Sequence, residues 1–187
     1  MNSVVTILCA ALPGPKANIL VNDRRQACLA DFSLVTMAPD HSTMMTTCVE
    51  GGTFRWMSPE LLDPERFDLA ESRPTKESDC YALGMVVYEV LSGRSPFAPN
   101  AAPIVIRMVL EGKRPGRPQG EEGKLLTDAI WGMLELCWKA QPSDRISVKA
   151  VLQGLEGNPP RAPQRNGPQN PASGMFFPFH FEHRTNV

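Results

Sequence analysis

Ser78-Asp-Cys-Tyr-Ala-Leu-Gly-Met-Val-Val-Tyr-Glu-Val-Leu-Ser-Gly93 is the stretch whose reading decides the fold. Between Cys80 and Leu91 the only charged residue is Glu89, and apolar residues fall on every side of a helical wheel. A helix apolar all round is either a membrane span or the centre of a globular core. About twelve residues fall short of the roughly 20 that a bilayer requires, which selects the core. Ser78 is suited to N-cap the helix, Asp79 puts a carboxylate at the positive end of its dipole, and Gly93 can close its C-terminus. The rest of the chain is expected to wrap around it.

Downstream, Asn100 reads as the cap of a helix over residues 101–111, with Ile104, Val105, Met108 and Val109 on one face and Gly112 ending it. A second helix is expected over 125–140, where Leu126, Ile130, Met133 and Cys137 make a stripe widened by Trp131, Leu134 and Trp138. A short third follows over 148–155. Upstream, residues 57–62 read as a short helix with Pro59 in its first turn. Further back, the β-like runs 18–21 and 26–30 flank the polar turn 22–25, a hairpin signal. The hydroxyl-rich segment 33–52, with Thr36, Ser42, Thr43, Thr46 and Thr47, has no periodicity, and a loop of that length in a compact domain is usually functional or mobile. The pattern alone is that of a mainly α domain with a small β-hairpin around a buried helix.

A formal net charge of −1 over 187 residues gives no electrostatic case for nucleic acid or an anionic membrane. The five cysteines are odd in number and form no Cys-x-x-Cys pair, so buried thiols in a reducing compartment are expected rather than a zinc site. The apolar run 4–12 follows no Lys or Arg and so lacks the positive start of a secretory signal; the expected location is cytoplasmic. From Gly157 onward, prolines with Asn, Gln and Gly replace helical periodicity, and composition predicts a disordered tail over 157–187. Its Met175-Phe-Phe-Pro-Phe-His-Phe181 cluster is either a docking peptide or an alternative end without a role.

Several segments in order resemble the C-terminal lobe of a eukaryotic protein kinase. Asn18-Ile-Leu-Val21 resembles the catalytic-loop Asn and the strand after it, and Asp31-Phe32-Ser33 resembles the metal-binding Asp-Phe-Gly. Gly52-Thr-Phe-Arg-Trp-Met-Ser-Pro-Glu60 resembles the end of an activation segment, with Ser-Pro-Glu for Ala-Pro-Glu, and is most similar to tyrosine-kinase-like serine/threonine kinases. Ser78-Asp79 resembles the start of the central helix, and Cys137-Trp138, Pro142 and Arg145 the late Cys-Trp…Pro…Arg signature. The resemblance covers residues 14–156 and implies a kinase-like C-lobe, a truncated α+β kinase fold, after an atypical segment 1–13. It implies ATP and Mg²⁺ as cofactors, with Asp31 and Asn18 holding the metal. It further implies that Thr53 lines the loop receiving the substrate, that Glu60 pairs with Arg145 in a buried ion pair, and that Asp79 accepts from catalytic-loop N–H groups, here those of Ala11 and Leu12.

The departures are as specific as the matches. Pro13 stands five residues before Asn18, where the family has its catalytic Asp, and Ala11 and Leu12 stand where His and Arg are expected. Pro15 replaces the transfer-assisting Lys, with Lys16 one position off, and no Gly-x-Gly-x-x-Gly precedes Asn18. Ser33 in place of Gly is a lesser change. A positioned base is worth roughly 10²–10⁴ in rate and positioning of the phosphate more, so no intact catalytic residue and little transfer are expected of this chain alone. Two readings follow: a fragment of a kinase that phosphorylates protein Ser/Thr (or Tyr) hydroxyls, its first lobe lost in fact or by an error in the gene start, or a pseudokinase-like module that binds protein partners without catalysis. Thr47 and Thr53 are the candidate phosphorylation sites of the segment.

Overall fold

The computed structural model describes residues 19–21, 23, 27–29 and 52–157. The short strands β1 (Ile19–Val21) and β2 (Ala27–Leu29) pair antiparallel, with Ile19 opposite Leu29 and Val21 opposite Ala27. The start of β1 and the end of β2 therefore lie together, while the turn at Asp23 belongs to the other end.

From Gly52 onward the described chain is helical. Helices α1 (Pro59–Leu62), α2 (Lys76–Ser92), α3 (Ala102–Leu110), α4 (Asp128–Cys137) and α5 (Val148–Leu155) are joined by loops, each of which except that between α2 and α3 contains a single 3-10 turn. Around α2 pack α4, α5 and the 3-10 turn Thr53–Trp56. Cys80, Tyr81, Ala82 and Met85 on α2 are no more than 1% exposed, and Val86, Val87 and Tyr88 are buried too. The helix emerges at its two ends, at Lys76 and Glu77 and at Val90, which is 67% exposed. Burial on all sides for three turns is what an unbroken apolar run requires of a soluble helix.

The helix starts one turn earlier than its apolar run. Thr75, not Ser78, is the N-cap. Thr75 Oγ1 accepts from the Ser78 N–H (3.1 Å), and Ser78 Oγ accepts from the Thr75 N–H (2.8 Å) while donating to the Thr75 carbonyl (2.9 Å). This reciprocal capping box satisfies donors that a helix start leaves open, with Ser in the place usually taken by Glu or Gln. At the other end Gly93 takes φ 70 and returns its N–H to the Glu89 carbonyl (2.8 Å), a left-handed close that glycine adopts without strain.

Three other boundaries shift for identifiable reasons. Asn100 does not cap α3; its side-chain amide donates to the Phe97 carbonyl (2.9 Å), and Ala101 takes the cap position. Val105 and Val109 face the core, but Ile104 is 42% exposed and belongs to the outer face. The α4 helix begins at Asp128 because Thr127 accepts from the Ile130 N–H (3.3 Å); Leu126 is buried ahead of it, and Leu125 points outward. Its last residue is Cys137, and the carbonyls of Trp138, Lys139 and Ala140 beyond it accept from arginine side chains. Ser147 caps α5 through the Ala150 N–H (3.2 Å).

The tightest point of the core is Gly84. A Cβ there would lie 2.8 Å from both Cys137 Cβ and Trp138 Nε1, so the absent side chain lets α4 approach α2. Trp138 then packs edge-on against Tyr88 and Trp131, with ring centroids 6.0 and 5.8 Å apart. Among the described residues no helix is long and apolar enough to cross a membrane. The expected loop 33–52, apart from Gly52 itself, the segment 1–13 and the tail beyond Gly157 lie outside the described residues.

Candidate functional site

The segment from Gly52 to Glu60 enters the helical body as a 3-10 turn followed by an extended step and a four-residue helix. Gly52 has φ 72, a turn conformation that favours glycine. Thr53, Phe54, Trp56, Met57 and Ser58 are all buried, and Met57 and Ser58 are fully so. Such burial of a connecting segment needs anchors, and two arginines supply them.

Arg55 lies across the Phe54 ring, 5.0 Å from its centroid. Its guanidinium donates to the Pro96 carbonyl (2.9 Å) and the Asn100 carbonyl (2.6 Å), which ties the segment to the loop between α2 and α3. Burial pushes the Arg55 pKa down, and the nearby carboxylate of Glu89 opposes that change. Glu89 in turn accepts from Ser95 Oγ (3.0 Å), so the α2–α3 loop is held from both sides.

Arg145 makes the second anchor. Its Nη1 and Nη2 donate to Oε1 and Oε2 of Glu60, both at 2.7 Å, in a parallel two-point fork. The remaining donors go to the carbonyls of Glu77 (3.0 Å), Lys139 (2.9 Å) and Ala140 (3.2 Å). One guanidinium thereby joins α1, the start of α2 and the end of α4. Glu60 is 85 residues away in sequence and the pair is out of contact with water, with side-chain exposures of 0% and 2%.

Beneath this junction Tyr81 lies between two guanidiniums, Arg145 at 5.1 Å and Arg114 at 5.3 Å from its ring centroid. Arg114 itself donates to the Trp138 carbonyl (2.8 Å). The Tyr81 hydroxyl is buried without a partner among the described residues, and burial pushes its pKa up to about 12 against the two opposing cations. Ser58 Oγ and Trp56 Nε1 are likewise buried without a partner among the described residues.

Of the residues singled out from the sequence, the structure brings together Glu60 and Arg145. Thr53 begins the 3-10 turn of the anchored segment, and Asp79 sits in the first turn of α2, 6% exposed. Pro13, Lys16, Asn18, Asp31, Ser33 and Thr47 lie outside the described residues, as do Ala11 and Leu12. Sequence reasoning missed Arg55, Arg114 and Tyr81. Arg55 stood in a quoted motif, but its acceptors are carbonyls, which no side-chain pattern reveals. Tyr81 was hidden in an apolar run.

The chain's likeness to other proteins agrees with this geometry. Residues 16–155 match the family model described as protein tyrosine and serine/threonine kinase. A putative serine/threonine-protein kinase/receptor, R818, of Acanthamoeba polyphaga mimivirus is 31% identical over 139 residues, covering 74% of this chain and 8% of that protein. The probable serine/threonine-protein kinase drkD of Dictyostelium discoideum is 31% identical over 140 residues, covering 75% and 10%. The serine/threonine-protein kinase STY17 of Arabidopsis thaliana is 26% identical over 141 residues, covering 74% and 22%. The chain thus spans about a tenth of the length of the first two relatives. The Glu60–Arg145 fork anchors a segment well inside the matched span. By that match the chain belongs to the protein tyrosine and serine/threonine kinase family.

Proposed function

We propose that this chain is the helical, substrate-facing lobe of a protein serine/threonine kinase of the tyrosine-kinase-like group, and that by itself it does not transfer phosphate. The observation that carries the first half is the anchoring of residues 53–60 by Arg55 and Arg145, because a lobe that presents a substrate hydroxyl must hold its receiving loop rigid. In this reading Thr53 lines the loop, and protein chains bearing Ser, Thr or Tyr are the substrates.

Asn18 and Asp31 suit Mg²⁺ by chemistry, since an amide oxygen and a carboxylate are the hard donors it takes. Their placement in the chain supports the assignment: Asn18 immediately precedes β1, Asp31 follows the end of β2 by two residues, and those two strand ends lie together. When bound, Mg²⁺ and ATP would supply the phosphoryl group and neutralise its charge. The chain's own part is to hold the metal through these two oxygens and to orient the acceptor loop.

The second half rests on Ala11-Leu12-Pro13, which offers no ionisable group where the family has its base. The same observation favours a second reading, a pseudokinase-like module that binds protein partners in a reducing, cytoplasmic setting; the free buried thiols of Cys80 and Cys137 suit that setting. Purified chain is expected to show no phosphate transfer to a generic protein substrate and no thermal stabilisation by Mg-ATP. A stabilisation that disappears in Asp31→Asn would overturn the silent reading. Sequencing the 5′ end of the transcript separates the two classes. In-frame upstream codons for a Gly-rich loop, a strand Lys and an intact His-Arg-Asp would make the longer product an enzyme, whereas a message starting at Met1 leaves the binding module.

A further inference from the structure

We propose that the cleft between the loop after α3 and the outer face of α4 is a docking site for the chain's own Phe-rich segment, residues 175–182. The cleft is open, has a volume of about 450 Å³, and is lined by Arg114, Pro115, Trp131, Glu135, Trp138 and Lys139 among others. That volume lies within the roughly 300–1,000 Å³ of pockets that hold compact ligands. Of the three tryptophans, Trp131 alone is not buried. Three contacts nevertheless fix its ring. Trp138 packs edge-on with centroids 5.8 Å apart, the Arg117 guanidinium lies 5.8 Å from the ring centroid, and Nε1 donates to Glu135 Oε1 (3.0 Å). An aromatic surface held in one orientation beside a concavity has little freedom left to lose when a partner covers it.

The charges of the cleft narrow the occupant. Arg114 is committed to the carbonyls of Trp138 (2.8 Å), Val109 (3.2 Å) and Lys113 (2.7 Å), and Glu135 accepts from Trp131. Lys139 is exposed and makes no ion pair among the described residues. The site thus offers aromatic surface beside an available ammonium, which selects an aromatic peptide carrying a carboxylate. Met175-Phe-Phe-Pro-Phe-His-Phe-Glu182 has four phenylalanines, Glu182 as its one acidic residue and no Lys or Arg. The segment also reaches. Helix α5 ends two residues before Gly157 and packs on α4 itself. Eighteen residue steps lead from Gly157 to Met175, and at roughly 3.3 Å each they span up to about 60 Å. A lobe of about a hundred residues has a radius of gyration of only about 13 Å, so the cleft is within that span. Tethering holds the segment at about millimolar local concentration, so a contact too weak to retain a free peptide retains this one.

The test uses the full chain with the photo-reactive substitution Phe179→p-benzoylphenylalanine, irradiated in dilute solution and mapped by mass spectrometry. The expected products are single chains cross-linked within residues 112–115 and 131–140. Acrylamide quenching of tryptophan fluorescence is the second readout. It reports on Trp131, because Trp56 and Trp138 are buried at 5% and 3% exposure. Replacing Phe176, Phe177, Phe179 and Phe181 together by Ala should raise the quenching, and a synthetic peptide of residues 175–182, added at about 1 mM, should lower it again. The Lys139→Glu form of that variant should bind the peptide several-fold more weakly. Cross-links between two chains, cross-links elsewhere on the lobe, or none at all would each overturn the proposal. So would quenching that the four Ala substitutions leave unchanged, quenching that rises but does not fall again with peptide, or equal peptide affinity with Lys139 and with Glu at that position.

Discussion

Arg145 is a guanidinium with every N–H placed: two on the Glu60 carboxylate and three on the carbonyls of Glu77, Lys139 and Ala140. The exposed pairs, such as Arg94 with Glu122 and Arg73 with Glu71, are of the kind that contributes at most about 1 kcal/mol. The buried fork is different, because removing one partner strands a charge away from water. Glu60→Gln is expected to destabilise the chain by about 3–5 kcal/mol, measured by urea unfolding. Replacing both partners together, as in Glu60→Leu with Arg145→Met, should cost less than either single change, since no charge is left unpaired. A double variant as unstable as the sum of the singles would show that the three carbonyl bonds, rather than the charge pair, dominate. Arg145→Lys keeps the charge but replaces a planar five-donor fork by a point with three donors, so it should behave like a loss and not like a conservative change.

At the scale of the element, α2 depends on a start that its apolar run does not announce. Thr75→Ala removes one acceptor at the helix start and is expected to cost about 1 kcal/mol, while Thr75→Ser should restore most of it. Ser78→Ala should cost more than Thr75→Ala, because the buried Ser78 hydroxyl both accepts from the Thr75 N–H and donates to its carbonyl. The reverse order in chemical denaturation would mean that the box contributes less than the single Thr75 bond. The same helix shows what the sequence made legible. Its burial followed from length and an unbroken apolar run, and its Gly93 close from residue type, because both are local properties. The cap was misplaced because Ser78 suits the cap and the third position equally, and only the backbone geometry distinguishes them. The end of α4 was misplaced for a different reason: its apolar stripe runs on through Trp138, yet the helix stops at Cys137, and the carbonyls beyond it are held by Arg114, 24 residues back in the chain, and by Arg145, five and six residues ahead. The ion pair of the site was legible only through resemblance, since nothing local links Glu60 to a residue 85 positions away. Arg55 and the Arg114–Tyr81–Arg145 stack were not legible at all, as their partners are backbone oxygens and a ring inside an apolar run.

For the molecule as a whole, the core around α2 makes stability depend on pH in a window far from neutrality. Tyr81 is buried against two guanidiniums, yet loss of its contact with water outweighs their attraction, and its phenol is held up at about 12 rather than the ordinary 10. The folded chain therefore keeps a proton that the unfolded chain releases between those pH values. Its contribution to stability is intact below pH 10 and is lost as pH rises through about 12. The loss amounts to about 2–3 kcal/mol, because each tenfold fall in proton concentration across that window costs about 1.4 kcal/mol. Other groups titrate in the same range, so the comparison has to be made against Tyr81→Phe, in which they are unchanged. That variant keeps the ring between Arg114 and Arg145 and removes a hydroxyl without a partner among the described residues, so at pH 7 it should be as stable as the parent or slightly more. The difference in unfolding free energy between parent and variant should stay flat from pH 7 to 9 and then turn against the parent from pH 10 to 12. A difference that remained flat to pH 12 would mean that the Tyr81 hydroxyl reaches water in the folded chain, and with it that the junction joining α1, α2 and α4 is open where the structure has it closed.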